Sequence, residues 1–282
     1  MKRFILISVL AVLTLTQVNL SPARATAQQP QVKDGAGATV NVEQIVRAFT
    51  AKETEFRHAL SNYSFQRDAV IQTIGMGGQI TGEFHRTSRY SFNDTGERFE
   101  KVTFAPAPTL TELQLTAEDF ADLIGIQPFA LEASKFDQYN FTYVGKEHID
   151  ELDVYAFDVA PKVMPKKMSE RFFQGRVWVD TTDLQIVKVR GKSVPEGKQR
   201  FPTFETYREQ IDGKYWFPTY TYADENLVFS DGGTVHMRMR IRYTDFKRFT
   251  GRSKIVEEGE PGDVPPSPPS KPTPTPPPVN QQ

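Results

Sequence analysis

Cysteine is missing from all 282 residues. That absence excludes disulfides, thiolate metal sites and a thiol nucleophile, and it removes the residue on which a bacterial lipoprotein carries its lipid. Neither sign of charge prevails. With 34 Lys and Arg against 35 Asp and Glu, the formal net charge of −1 gives no bulk case for binding nucleic acid or an anionic membrane. Catalytic signatures are also wanting: the chain has no Gly-x-Ser-x-Gly elbow, no His-Glu-x-x-His and no Gly-x-x-x-x-Gly-Lys. Gly75-Met76-Gly77-Gly78 lacks the lysine of a phosphate loop and reads as a turn between strands. His58, with Glu55 three residues before it, offers one imidazole and one carboxylate, which is a solvated helix face rather than a metal site. The expectation is a protein that is not an enzyme and needs neither metal nor cofactor.

Long apolar runs are scarce, and the one that exists is at the start. Lys2 and Arg3 precede an apolar stretch from Phe4 to Leu15, followed by Ala23-Arg24-Ala25 and Ala25-Thr26-Ala27 as small-x-small sites. This is the layout of an export signal, expected over residues 1–27 and cleaved to release a periplasmic protein. A retained anchor is the alternative, but it needs roughly 18 to 20 apolar residues, and Thr14, Thr16, Gln17 and Asn19 interrupt the run. A polar lead-in follows over residues 28–40, the folded domain is expected over 41–250, and a tail occupies 251–282. Proline removes donors and fixes φ, so the tail, with Val264-Pro265-Pro266-Ser267-Pro268-Pro269, is expected to be extended. It reads as a spacer, with a docking ligand for an envelope partner or a wall-threading segment as the other possibilities.

Inside the domain two periods appear. Val42, Ile45, Val46, Phe49, Phe56 and Leu60 recur at helical spacing behind Asn41, a natural N-cap, which predicts a helix to about Ser61. A second helix is expected from Thr116, ended by Pro128. Most of the remainder alternates with period two: Ser64 to Ile74, Gln79 to Phe92, Arg98 to Phe104, Asn140 to Gly145, Asp153 to Ala160, Arg176 to Asp180 and Leu184 to Val189. Asp212-Gly213 lies between two further strands as a hairpin signal. In the clearest strand Val235, Met237, Met239, Ile241 and Tyr243 alternate with His236, Arg238, Arg240 and Arg242, giving one buried face and one basic face. The arginines read as an ion-pair ladder with Glu205 and Glu209, or as a site for a polyanion or headgroup. About ten strands joined by short turns make a meander, and such a sheet must curl strongly. The fold class expected is α+β, mainly antiparallel: an incomplete, strongly curved barrel with short helices lidding its concave side. Tyr215, Trp216, Phe217, Tyr220 and Tyr222 crowd one strand, and Trp178 another, which suggests either a partly open apolar groove or an ordinary sheet–helix core.

Several stretches carry a family resemblance: Tyr139-Asn140-Phe141-Thr142-Tyr143-Val144-Gly145, then Gly175-Arg176-Val177-Trp178-Val179-Asp180, then Ile211-Asp212-Gly213-Lys214-Tyr215-Trp216-Phe217-Pro218 and Ile241-Arg242-Tyr243-Thr244-Asp245-Phe246. With the order of elements from Val42 to Phe249, the sequence resembles the outer-membrane lipoprotein-sorting proteins of the LolA/LolB-like type. The resemblance implies a half-barrel whose cavity holds lipoprotein acyl chains or a similar lipid, with an acylated protein or lipid as ligand and envelope proteins as further partners. The family's cavity-closing arginine matches Arg86, in Gly82-Glu83-Phe84-His85-Arg86, or alternatively Arg89. Expected ligand contacts are Phe84, Arg86, Trp178, Trp216, Tyr220, Met237 and Met239. A competing expectation uses the same fold as an interaction or sensor module, through its convex face and tail.

Overall fold

Residues 31–33, 39–93, 97–115, 131–167, 170–196 and 200–248 are described by a computed structural model. Helix α1 runs Val42–Leu60, and the Asn41 side chain accepts the Gln44 N–H at 3.1 Å, satisfying one of the donors a helix start leaves open. Its apolar stripe goes under cover: Ile45, Val46, Phe49, Phe56 and Leu60 are all buried. Just ahead of it, β1 (Gln31–Lys33) and β2 (Thr39–Asn41) pair antiparallel, so part of the polar lead-in makes a small sheet of its own. The second helix expected from Thr116, the export signal and the proline-rich tail lie outside the described residues.

The other strands are β3 (Tyr63–Ile74), β4 (Ile80–Phe92), β5 (Arg98–Phe104), β6 (Tyr139–Ile149), β7 (Leu152–Pro161), β8 (Phe172–Asp180), β9 (Ile186–Val194), β10 (Phe204–Ile211), β11 (Tyr215–Val228) and β12 (Thr234–Arg248). They form one antiparallel sheet of ten strands in the order β5-β4-β3-β12-β11-β10-β9-β8-β7-β6. Within it consecutive strands are neighbours except β5 and β6, and β12 returns to pair with β3. The edges β5 and β6 do not meet. The sheet is therefore a curved, open half-barrel, as expected, rather than a closed barrel.

Local chemistry sets the turns. Asp212 and Gly213 both take positive φ, 53° and 66°, the backbone sign that a tight hairpin needs and that Asp and Gly tolerate best. The turn after β8 is longer than expected: Leu184 has φ of 56°, and the Asp183 carboxylate accepts the Gln185 N–H, so β9 begins at Ile186 instead of Leu184. In the middle of the sheet, the register of β10 on β11 shifts between Tyr207 and Arg208, opposite Pro218. Proline has no N–H to give a ladder, so a bulge is where a sheet accepts it.

Strand order corrects one expectation. Glu205 and Glu209 lie on β10, and β11 stands between β10 and the arginines of β12, so no ladder joins them. Glu205 instead pairs with Lys188 and Arg190 of β9, at 3.0 and 3.2 Å. Arg238 pairs with Asp224 of β11 at 2.9 Å. Burial pushes the Asp224 carboxyl up, but hydrogen bonds from His236, Tyr222 and Arg238 outweigh it and hold it down at about 2.

Candidate ligand-binding wall

Helix α1, the one α-helix among the described residues, cannot by itself cover this sheet. At 1.5 Å per residue, the 19 residues of α1 extend about 28 Å, whereas ten strands about 4.8 Å apart span roughly 43 Å. The packing follows from that shortfall. The first half of α1 (Ile45, Val46, Phe49) belongs to an apolar cluster with Phe157, Val159, Val177, Val179 and Ile186. Its second half (Phe56, Leu60) belongs to another, on β3, β4, β11 and β12. Between them Glu53 meets Arg208 of β10 in a fork: Nη1 donates to Oε1 at 2.6 Å and Nη2 to Oε2 at 3.1 Å. Both side chains are only 3% exposed, and the Arg208 guanidinium also lies over the Phe56 ring.

Beyond the end of α1, the helix-facing wall continues through Ile71, Phe84, Leu227, Met237, Met239 and Ile241, each buried. Leu110, Leu113 and Leu115, from the connection after β5, pack on it and are themselves only partly buried. Three bonds anchor that connection to β4: the Thr109 N–H donates to the Glu83 carbonyl and the Glu83 N–H to the Thr109 hydroxyl, both at 2.9 Å, and the Thr81 hydroxyl donates to the Glu112 carboxylate at 2.8 Å. Gly82 makes room for the crossing. A Cβ there would stand 2.8 Å from the Thr109 carbonyl oxygen and 2.9 Å from Leu110 Cα, both backbone atoms that cannot swing aside. The wall is rich in adaptable surface, because methionine fills irregular space with three soft torsions and a polarisable sulfur.

Of the residues the sequence singled out, Phe84, Met237 and Met239 come together in this wall. Arg86 lies on the same strand as Phe84, two residues along, and donates through Nε to Glu100 of β5 at 3.0 Å. Glu100 also receives the Ser88 and Tyr90 hydroxyls, at 2.6 and 2.9 Å. Burial pushes the Glu100 carboxyl up, yet these bonds prevail and hold it below the usual carboxylate range. Arg89 is exposed, at the parity opposite to Arg86.

The other three residues sit elsewhere. Trp178 and Trp216 belong to a third cluster with Val154, Ala156 and Val187, on the face away from α1. The reason is alternation: Phe217 packs against Phe56 of the helix, so its neighbour Trp216 must point the other way. Their indole N–H groups are taken by carboxylates, Trp178 by Glu147 at 2.6 Å and Trp216 by Asp183 at 2.8 Å. Tyr220 is opposite Arg242 in the β11–β12 register and stacks with Tyr222 on that same outer face. The aromatic crowd on β11 thus serves two surfaces.

Sequence reading passed over Arg67, which is 1% exposed on β3 with its guanidinium 4.9 Å from the centre of the Tyr90 ring. The signal was present, since Phe65, Arg67, Ala69 and Ile71 share one parity and three of them are apolar. Among the described residues, no three His, Asp or Glu side chains gather as a metal site. No described helix is long and apolar enough to cross a membrane.

No family model matches the chain, and no curated protein matches it either. Solved structures do. The chain is similar to a DUF1329 family protein from Desulfovibrio piger, at 16% identity and a TM-score of 0.39, over 74% of this chain and 94% of that one. It is similar to a LolA superfamily protein from Nitrosomonas europaea at 15% identity and a TM-score of 0.37, with the same coverage. A putative outer-membrane lipoprotein-sorting protein domain from Vibrio parahaemolyticus follows at 13% and 0.32, again over 74% and 94%.

Proposed function

We propose that the protein is a non-enzymatic periplasmic carrier that holds the acyl chain of a lipoprotein or similar lipid against the wall of β3, β4, β11 and β12. One observation carries the reading: among the described residues, the apolar wall around Phe84, Met237 and Met239 is met by three partly buried leucines of the connection after β5. An acyl chain that takes the place of Leu110, Leu113 and Leu115 gains ~0.8 kcal/mol per methylene buried. What it displaces is a strap held to β4 at Thr109 and by the exposed Thr81–Glu112 bond, and that is a modest loss. Phe84, Met237 and Met239 supply contact, and Arg86, tied to Glu100, guards the neighbouring end of the wall.

A fluorescent fatty acid tests this directly. The parent protein is expected to bind it saturably, and Arg86→Leu to release it faster while shifting stability by no more than ~1 kcal/mol, since Glu100 keeps its bonds from Ser88 and Tyr90. If the parent takes up no acyl probe, the carrier reading falls, and an envelope interaction module using the outer face and tail replaces it.

A further inference from the structure

Every neighbouring pair in the ten-stranded sheet is antiparallel, so the connections β3–β4, β7–β8, β9–β10 and β11–β12 all emerge at one end. Five of the ten large apolar side chains exposed among the described residues lie in or beside these connections. Met76 is fully exposed, Ile80 is 55% exposed, Val163 77%, Met164 48% and Val228 57%, and all five belong to these connections or to the strand residues beside them. At the opposite end the turns at residues 61–62, 150–151, 181–185 and 212–214 hold no large exposed apolar side chain, and Phe99, beside the β4–β5 connection, is 41% exposed.

The β7–β8 connection is also basic. Between residues 162 and 171 the β7–β8 connection has four cations (Lys162, Lys166, Lys167, Arg171) against one carboxylate, Glu170. The nearest Lys167–Glu170 approach is 3.9 Å between side chains that are both largely exposed, which leaves the lysine's field open to solvent. The opposite end is mixed: Asp150, Glu151, Asp183 and Asp212 stand in its turns against Lys214 and, at the end of β12, Lys247 and Arg248. A net charge near zero conceals the local basic, apolar rim of the β7–β8 connection.

We infer that the end bearing Met76, Val163 and Met164 docks on an anionic lipid bilayer surface, with the apolar tips entering the headgroup layer and Lys162, Lys166 and Lys167 facing the lipid charge. Exposed apolar side chains beside cations, as at Val163 and Met164, match such a surface on both counts. The docking does not depend on the acyl-chain reading, since it rests on the rim and not on the wall.

Co-sedimentation with vesicles decides it, using phosphatidylcholine alone and phosphatidylcholine doped with phosphatidylglycerol. The parent is expected to bind the doped vesicles, to be released by high salt, and to bind neutral ones poorly. Each lysine near the surface contributes about five-fold. Joint reversal of Lys162, Lys166 and Lys167 to Glu is therefore expected to weaken binding more than ten-fold. Val163→Ser with Met164→Ser weakens it several-fold, and Lys214→Glu at the far end leaves it unchanged. All these side chains are exposed, so melting curves of the variants should overlay the parent's. The inference is overturned if the parent does not prefer the doped vesicles, or if either the lysine or the serine set binds as the parent does.

Discussion

Met239→Asp is expected to destabilise the protein by several kcal/mol, while Arg240→Asp, one residue further on, changes stability by at most ~1 kcal/mol. The two positions are adjacent on β12, and a strand turns successive side chains to opposite faces. Met239 is 5% exposed within the wall that includes Ile71, Phe84 and Ile241. A carboxylate there loses its water and finds apolar carbon in exchange. Arg240 is exposed, opposite Tyr222 on one side and Val70 on the other, where a charge stays solvated. Urea denaturation of both variants measures the contrast. A silent Met239→Asp beside an unfolded Arg240→Asp would mean that the sheet faces are reversed.

Glu53→Ala is expected to cost about 3–5 kcal/mol, because it leaves the Arg208 guanidinium deep under α1 without its carboxylate. The fork ties the midpoint of the helix to β10, at the junction of the two apolar clusters. The pair as a whole is a different matter. Withdrawing two charges from water consumes much of what their attraction returns, so Glu53→Leu combined with Arg208→Met should recover most of the loss. A double-mutant cycle reads this from equilibrium unfolding. Additive losses from the two single substitutions would show that the residues are not coupled.

The sequence made the strands legible because period two survives in nearly all of them: β5 was expected at Arg98 to Phe104 and occupies those residues. The cap at Asn41 was equally plain, since few side chains can serve there. Register and neighbour choice were not legible. Nothing local in Val235 to Tyr243 says that β12 lies between β11 and β3, so Glu205 was matched with the wrong strand. The tryptophans failed for a related reason. An aromatic run such as Tyr215-Trp216-Phe217 marks a strand with two covered faces, but which face meets the helix depends on partners far along the chain. Glu53 could have been found. It falls four residues after Phe49 and three before Phe56, on the apolar stripe of α1, and a carboxylate on that stripe calls for a buried cation. Its partner was harder to see, because Arg208 reaches the helix at a bulge that only Pro218 announces.

Photo-crosslinking with a diazirine-bearing fatty acid, followed by peptide mapping, tests the central claim most directly. The account predicts adducts on β12 around Met237 to Ile241, on β4 near Phe84, and on the connection from Leu110 to Leu115, all suppressed by excess unlabelled fatty acid. Adducts confined to the outer-face peptides holding Trp178 and Trp216, or none that unlabelled ligand suppresses, would contradict it.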